Sequence, residues 1–337
     1  RGARENYAPL ILQNSNFHLR ALWSRTKASA ESFNLEVAGL SLEVFWGDEG
    51  FAQLLNRPDI EGFAVVLPAA VQSSYVEQIR HQRRHVLSEK PVTADWGSAK
   101  EKLKQIESDS EGPIWHISSR LRHEPVFQAE HLRLHELGQV VAAECFAVLV
   151  VDSSAPSPDE SLWIQGGVQH IAMLRHILGS ITEVNCTRIS EHSSRPGHGE
   201  DFWADALSGT LRFENGAVCV VNWQTSDSCH DERLRLTLRC ARGSLTIELD
   251  TGGTGLRRYN MRRSGNSVSA LLHSFTPCGA ERQLEAWGAG IRAFRQGVDS
   301  CKADSPLHAM VDLFVVGAML QSAGTPTLIR TKKQQRK

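Results

Sequence analysis

The sequence lacks a dominant charge and any long apolar run. Its 37 Lys and Arg residues balance 38 Asp and Glu residues, which leaves a formal net charge of −1. A near-neutral chain has no global field that would attract nucleic acid or an anionic membrane, so we expect neither partner. No apolar run approaches the roughly 18 residues that span a bilayer, so no transmembrane helix is predicted.

Cysteine is also sparse. The seven cysteines are scattered, odd in number and never spaced as C-x-x-C. This pattern is typical of reduced thiols in a cytosolic protein, and we expect a cytoplasmic location. The pairs His81/His85 and His131/His135 have i, i+4 spacing, but no carboxylate or cysteine completes a metal site. We therefore predict no bound metal.

Short apolar segments alternate with helical ones in the first third of the chain. Strands are predicted at 17–24, 43–45, 62–67, 85–87 and 113–117, and helices at 27–34, 51–55, 71–82 and 100–107. Strands that alternate with helices favour a parallel sheet with helices on both faces. Residues 1–117 are thus predicted to form one α/β domain.

The order of the predicted strands and helices changes after residue 117. Strands are predicted at 138–151, 204–213, 217–224, 234–240 and 244–249, and helices at 123–137, 168–178, 281–298 and 307–322. Asn215-Gly216 is a strong two-residue hairpin signal. The pattern predicts an α+β domain over 118–330 with an open antiparallel sheet, followed by a disordered basic tail at 331–337.

The segment Ser88-Glu89-Lys90-Pro91 stands at the end of one predicted strand. Proline restricts the backbone of the residue before it, and the Lys-Pro bond can be cis. A lysine held at a strand end can contact a cofactor or polarise a substrate oxygen. Taken alone, the segment is equally compatible with an ordinary turn and a solvated ion pair.

Two further motifs strengthen the functional interpretation. Gln165-Gly166-Gly167-Val168-Gln169-His170 continues to Leu174-Arg175, and the chain opens with Ala3-Arg4-Glu5-Asn6-Tyr7. Together with Glu89-Lys90-Pro91, they resemble the glucose-fructose oxidoreductase / inositol dehydrogenase / rhizopine-catabolism (Gfo/Idh/MocA) oxidoreductase family, in its eukaryotic, fungal-like branch. The resemblance covers essentially the whole chain.

The resemblance implies an N-terminal Rossmann domain that binds NAD(H) or NADP(H). It also implies a second domain that holds a small alcohol or carbonyl compound, often a sugar, against its sheet. The family's working trio is the Lys of Glu-Lys-Pro, here Lys90, with an Asp and a His from the glycine segment. Histidine suits proton transfer because its pKa lies near neutrality, and a cationic lysine stabilises a developing alkoxide.

The first departure from the family lies at the N-terminus. A dinucleotide fold needs a leading strand and a Gly-rich turn that faces the pyrophosphate. Ala3 aligns with the last small residue of that turn, whereas the leading strand, the first two glycines and an initiator Met are not in the sequence. We expect the sequence to be incomplete here, because it has no initiator Met or plausible start. A parallel sheet without its central strand would expose apolar edges, so truncation should impair folding as well as binding.

The second departure lies in the glycine segment. The family's Asp falls on Gln165 and its His on Gln169. Glutamine can hydrogen-bond a substrate but cannot exchange a proton near pH 7. His170 is adjacent, although one helical residue turns a side chain by about 100°. His170 is therefore either a catalytic candidate or a helix-face histidine without a catalytic role.

The cofactor residues follow from the same alignment. The residues expected to contact the cofactor are Ala3, Arg4, Ser24, Arg25, Leu67, Pro68, Gln72, Glu89 and Lys90. Ser24-Arg25 stands where NAD-selective folds place a carboxylate, and a hydroxyl with a guanidinium suits a 2′-phosphate. NADP(H) is therefore favoured, and NAD(H) is possible.

The substrate is expected to be a small molecule. Arg120 and Arg122 follow a predicted strand and can hold an anionic or polyhydroxylated compound together with Gln169, although a solvated basic turn explains the two arginines equally well. The sequence thus predicts an NAD(P)-dependent oxidoreductase. Two alternatives stay open, namely a sensor or regulator that has lost its proton-handling residues and an inactive truncated product. A homo-oligomer is expected through an apolar face of the antiparallel sheet.

Overall fold

The structure is a computed structural model of the 337-residue chain. It describes residues 3, 7–36, 42–93, 112–150, 160–194, 201–226, 232–251, 256–265, 268–298 and 304–329. The predicted helix at 100–107, Arg4 and the basic tail lie outside these ranges. The chain divides into two compact units: Arg1–Ser119 with Ala280–Met310, and Arg120–Gly279 with Val311–Lys337.

The first unit alternates strands and helices. In chain order its elements are α1 (Ala8–Gln13), β1 (Ala21–Ser24), α2 (Lys27–Glu36), β2 (Glu43–Trp46), α3 (Gly47–Leu55), β3 (Gly62–Val65), α4 (Ala69–His81), β4 (His85–Ser88) and β5 (Trp115–Ile117). β1 pairs with β2, and β3, β4 and β5 pair in that order, all in parallel. The predicted parallel α/β architecture is confirmed.

An apolar cluster covers one face of this unit. Leu87 on β4 packs with Leu284, Trp287 and Ile291, and the ring of Phe17 stacks on Trp287 at a centroid distance of 5.6 Å. These three partners come from the helix Gly279–Arg295, which is distant in sequence. Burial against the parallel strands thus explains why this late segment belongs with the first unit.

The second unit is dominated by strands. Its elements include α5 (Arg120–His123), α6 (Ala129–Leu132), α7 (Leu134–Leu137), β6 (Val140–Val150), α8 (Glu160–Leu178), β7 (Ile181–Ser194), β8 (Asp201–Phe213), β9 (Val218–Ser226), β10 (Arg233–Cys240), β11 (Gly243–Asp250), β12 (Arg258–Gly265), β13 (Val268–Phe275) and β14 (Thr327–Leu328). Two further helices of the described residues are α9 (Gly279–Arg295) and α10 (Pro306–Gln321). The strands form one nine-stranded sheet in the order β13-β12-β11-β10-β6-β9-β8-β7-β14.

This sheet is antiparallel apart from one pair. β6 and β9 run parallel, with Cys145 opposite Val221, so the expected open sheet is present but mixed. Gly216, with φ +89°, closes the predicted hairpin between β8 and β9.

Side chains alternate across the sheet. Cys219 and Val221 are buried, whereas the neighbouring positions Val220 and Asn222 are exposed. Glu144, paired with Val220, is exposed as well. The outward face is therefore mixed in polarity, which corrects the expectation of an apolar face, because the run 217–221 turns only every second side chain outward.

The predicted helix at 123–137 is wrong as a continuous element. A 3₁₀ turn at Pro125–Phe127 interrupts it, and Arg133 has φ +46° between α6 and α7. Proline lacks the amide hydrogen that a continuing helix needs, so the segment forms short turns instead. No helix in the described part of the chain is long and apolar enough to cross a bilayer.

His85 gives the first unit a pH-dependent stability. The side chain is buried, and its Nδ1 accepts a hydrogen bond from the Ile114 amide at 2.9 Å. Burial lowers its pKa, with Arg295 and Arg80 also lowering it and Glu61 opposing. The unfolded chain therefore takes up a proton on His85 at a higher pH than the folded protein does. The free energy of unfolding decreases as the pH falls below the unfolded-state pKa of about 6.5.

We expect the urea concentration at the unfolding midpoint to decrease when the pH is lowered from about 7.5 to about 5.5. The free energy of unfolding should decrease by up to about 1.4 kcal/mol per pH unit. His85→Asn, which keeps an acceptor, should flatten this dependence, whereas His135→Asn at an exposed position (side chain 79% accessible) should leave it unchanged. Equal pH slopes for the wild type and His85→Asn would contradict the assignment.

Candidate active site

The strand ends of the first unit carry the predicted cofactor residues. Arg20 lies 3.9 Å from Asp59, and Arg57 binds both Asp59 and Glu43. These ion pairs join the amino ends of β1 and β2 to the segment before β3, and the strands are parallel within each of the two sheets. The carboxyl ends of β1 and β3, at Ser24 and Val65, are the kind of strand end at which ligands bind in open parallel sheets.

The loop around Lys90 is held from two sides. The Glu89 amide donates to the Val65 carbonyl at 3.0 Å, and the Tyr7 hydroxyl donates to Glu89 Oε1 at 2.6 Å. Lys90 is half-buried, and the Lys90–Pro91 peptide bond is cis. The contact of Tyr7 with Glu89 spans 82 residues, so no local sequence signal could have revealed it.

Gln72 on α4 is the second support of this loop. It is 2% exposed, and its Nε2 donates to the carbonyls of Glu89 at 2.6 Å and Pro91 at 3.3 Å. The two bonds bracket Lys90. Gln72 Oε1 is buried and has no hydrogen-bond partner among the described residues, so it is an acceptor available to a bound group.

Two cations follow the carboxyl end of β1. Ser24 is half-buried and Arg25 is exposed. Lys27 Nζ lies 5.1 Å from the centre of the Trp46 ring and 3.7 Å from Glu31. At the end of β3, Leu67 is half-buried, and Pro68 precedes the first residue of α4. Ala3 lines a cavity beside β1, and Arg4 lies outside the described residues.

The glycine segment lies within α8 in the second unit. Gly166 and Gly167 let this helix approach the sheet closely: a Cβ on Gly166 would lie 3.0 Å from Leu149, and one on Gly167 would lie 3.3 Å from Trp223. Gln165 is exposed and Gln169 is 8% exposed. The i, i+4 spacing places both amides on one side of the helix.

His170 has a defined ring orientation. Its Nδ1 lies 3.1 Å from the Gly166 carbonyl, and its ring centre lies 5.5 Å from that of Trp223. A carbonyl oxygen only accepts, so Nδ1 donates and Nε2 is the nitrogen that can take up a proton. The sequence suggested His170 by adjacency alone, and its local contacts could not have been inferred.

The two arginines predicted for substrate binding differ in environment. Arg122 is 5% exposed, and its Nη2 lies 3.1 Å from Asp312 Oδ2, which Arg175 also binds. The Arg120 side chain is 45% exposed and lies 3.6 Å from Glu232. Arg122 therefore belongs to a buried ion-pair network, whereas Arg120 remains accessible to solvent.

No group of three or more His, Cys, Asp or Glu side chains suited to a metal is present in the described ranges. Lys90 and its supports Gln72 and Tyr7 lie in the first unit, and Gln165, Gln169 and His170 lie in the second.

Comparison with known proteins relates the N-terminal part of the chain to a family. Residues 2–111 match the GFO_IDH_MocA model, described as an oxidoreductase family with an NAD-binding Rossmann fold. "Dehydrogenase FPY6" of Fusarium mangiferae is 22% identical over 339 residues, covering 95% of this chain and 93% of its own.

Two solved structures share the fold. An oxidoreductase from Thermotoga maritima has a TM-score of 0.73 at 23% identity, covering 97% of this chain and 95% of its own. KijD10, a 3-ketoreductase from Actinomadura kijaniata in complex with NADP, has a TM-score of 0.66 at 14% identity. The match covers 96% of this chain and 94% of the KijD10 chain.

We predict that Arg122→Gln lowers the free energy of unfolding by about 1.5–3 kcal/mol, because it removes a buried hydrogen bond to a charged group. The matched change Arg120→Gln should cost less than about 1 kcal/mol, since an exposed ion pair contributes little. Urea denaturation of both variants measures the difference. Two equally small losses would show that Arg122 is not part of a buried network.

Proposed function

We propose that this chain is a member of the GFO_IDH_MocA family and an NAD(P)-dependent oxidoreductase, with NADP(H) favoured. Its substrate is a small carbonyl or alcohol compound, a class that includes sugars. The observation that carries the proposal is the loop of Lys90, which Gln72 and Glu89 hold at the carboxyl edge of a parallel sheet. That edge belongs to the region matched by the NAD-binding family model.

The described residues fit a nicotinamide cofactor at two points. Gln72 Oε1 is a buried acceptor without a partner in the described ranges, and Ser24 with Arg25 offers a hydroxyl and an exposed guanidinium at the end of β1. Leu67, Pro68 and Glu89 would line the same edge. Bound there, the cofactor supplies or accepts a hydride.

The proton chemistry falls to side chains of this chain. Lys90, as a cation, stabilises alkoxide charge on the substrate oxygen. Gln169 and Gln165 orient the substrate by hydrogen bonds but do not transfer protons. His170 Nε2 exchanges the hydroxyl proton, because Nδ1 is engaged by the Gly166 carbonyl. Arg120 is assigned to an anionic or polyhydroxylated part of the substrate, and Arg122 to a supporting position beneath it.

The NADP(H) preference rests on charge. Arg25 and Lys27 lie close together in sequence at the end of β1, and a phosphate is bound best by charge-assisted hydrogen bonds. The bound NADP of KijD10 supports this choice by analogy of fold alone. NAD(H) remains the other cofactor of the proposal.

A second candidate function is that of a sensor or regulator. Gln165 and Gln169 stand where the family places its Asp and His, so cofactor or ligand binding without turnover is chemically reasonable. In either case we propose a homo-oligomer that assembles through the outward face of the nine-stranded sheet, where Val141, Ile189 and Val220 are exposed.

NADPH titration, followed by nicotinamide fluorescence, tests cofactor choice. We expect Arg25→Ala to weaken NADPH binding on the order of tenfold or more, because a charge-assisted bond is lost, and to leave NADH binding nearly unchanged. Arg258→Ala, an exposed arginine of the second unit, is the control. An equal loss for both cofactors would refute the 2′-phosphate role, and no binding at high micromolar NADPH would refute the proposed function.

Turnover with a panel of sugars and small ketones separates the two candidate functions. For an enzyme using His170, His170→Gln should lower kcat on the order of 100-fold with little change in NADPH affinity. Gln169→His that restores activity to an inert parent would instead indicate a decayed enzyme. A kcat of His170→Gln equal to that of the wild type would show that His170 does not transfer the proton.

A further inference from the structure

Two groups of opposite charge stand side by side in the loop after β4. Glu89 carries a carboxylate and Lys90 an amine, and both residues are half-buried. If the carboxylate bound the neighbouring ammonium, this ion pair would compete with the substrate oxygen for the cation that the proposed chemistry uses. The place of the Glu89 side chain therefore decides how available Lys90 is.

The alternation of β4 brings Glu89 to one side of the sheet. Leu87 packs in an apolar cluster with residues of α9, whereas the Ser88 hydroxyl accepts a hydrogen bond from Trp115 Nε1 at 3.0 Å. Successive side chains of a strand point to opposite faces, so the residue after Ser88 returns to the side of Leu87. Glu89 follows this rule, because its partner Tyr7 packs against the same cluster as Leu87.

The bond between Tyr7 and Glu89 is short. The Tyr7 hydroxyl donates to Glu89 Oε1 at 2.6 Å, a length typical of a hydroxyl that binds a charged carboxylate. Such bonds are about twice as strong as those between neutral groups. A phenol is neutral near pH 7 and donates one proton, so Tyr7 holds the carboxylate without cancelling its charge.

The backbone of this loop is fixed independently of Tyr7. The Glu89 amide donates to the Val65 carbonyl at 3.0 Å, and Gln72 Nε2 donates to the carbonyls of Glu89 and Pro91. With the backbone held at these points, the Glu89 carboxylate moves mainly about its own side-chain bonds. The hydroxyl of Tyr7 therefore selects among the orientations that the carboxylate can take.

We propose that Tyr7 is a positioning residue for Lys90. Its hydroxyl binds the Glu89 carboxylate on the side of Leu87 and so keeps that carboxylate from pairing with the adjacent amine. The inference rests on the proposed function for the use that is made of Lys90. The reactivity of the amine, however, can be measured without cofactor or substrate.

Two substitutions separate this role from packing. Phenylalanine keeps the ring, so Tyr7→Phe removes the hydroxyl and leaves the contact of the ring with the apolar cluster. The freed carboxylate can then bind the neighbouring ammonium, and an ion-paired ammonium is harder to deprotonate. Glu89→Gln removes the charge of the carboxylate, so in that background Tyr7→Phe should have no effect on Lys90.

Acetylation of lysines by acetic anhydride at constant pH, quantified residue by residue by mass spectrometry, tests the proposal on the chain alone. Only the neutral amine reacts, so we expect Tyr7→Phe to slow acetylation of Lys90 by about three- to tenfold. Lys27, whose side chain is 59% exposed, should react at the wild-type rate. The matched control Tyr75→Phe removes a hydroxyl from α4 and should leave the Lys90 rate unchanged.

Equal Lys90 rates in the wild type and in Tyr7→Phe would overturn the proposal. A loss that persists in the Glu89→Gln background, or that extends to Lys27, would also overturn it, because Tyr7 would then act through packing and not through the carboxylate. In turnover assays, Tyr7→Phe should lower kcat by a similar factor with nearly unchanged NADPH affinity. The predicted acetylation pattern in a chain without turnover would support the role of Tyr7 and count against the proposed function.

Discussion

Backbone hydrogen bonding between parallel strands is the constraint on which the first unit depends. Parallel strands are joined by helices, so each strand delivers its carboxyl end to the same edge. This edge receives Arg25 from β1, Pro68 from β3 and Lys90 from β4. The places of these side chains are therefore set by the strands that carry them.

The supports of Lys90 illustrate how packing prepares a chemical group. A flexible lysine on an exposed turn would sample many orientations, at a cost in side-chain entropy when it binds. Here the backbone on both sides of Lys90 is tied to the buried amide of Gln72, and the Glu89 carboxylate is tied to Tyr7. The loop is thus preorganised by Gln72 of α4 and by Tyr7, the residue before α1, while Lys90 itself stays half-buried.

Sequence reasoning succeeded where the signal is local. The parallel half, the strand before Glu89-Lys90-Pro91 and the turn at Gly216 all follow from periodicity or from the chemistry of one or two residues. It failed where the outcome depends on distant partners. The sequence could not show that Arg122 meets Asp312, 190 residues away, or that Tyr7 meets Glu89.

Two errors in the predicted secondary structure also arise from contacts with residues distant in sequence. β12 was not predicted, because its sequence is largely polar and its pairing depends on its sheet neighbours: Tyr259 and Met261 are buried, whereas most of β12 faces outward. β7 and β13 were not predicted either. The helix α8 begins at Glu160, eight residues before the predicted start at Val168, and Gly166 and Gly167 lie inside it, where they allow close packing against Leu149 and Trp223.

The central claim is hydride transfer, and isotope transfer measures it directly. The protein is incubated with NADPH carrying deuterium at the transferable position and with a panel of small keto compounds and keto-sugars, and the products are analysed by mass spectrometry. We predict one deuterium on the new carbinol carbon of at least one product, with loss of that label when Lys90→Ala replaces the wild type. Tight NADPH binding without deuterium in any product would contradict the enzymatic account and favour the regulatory one.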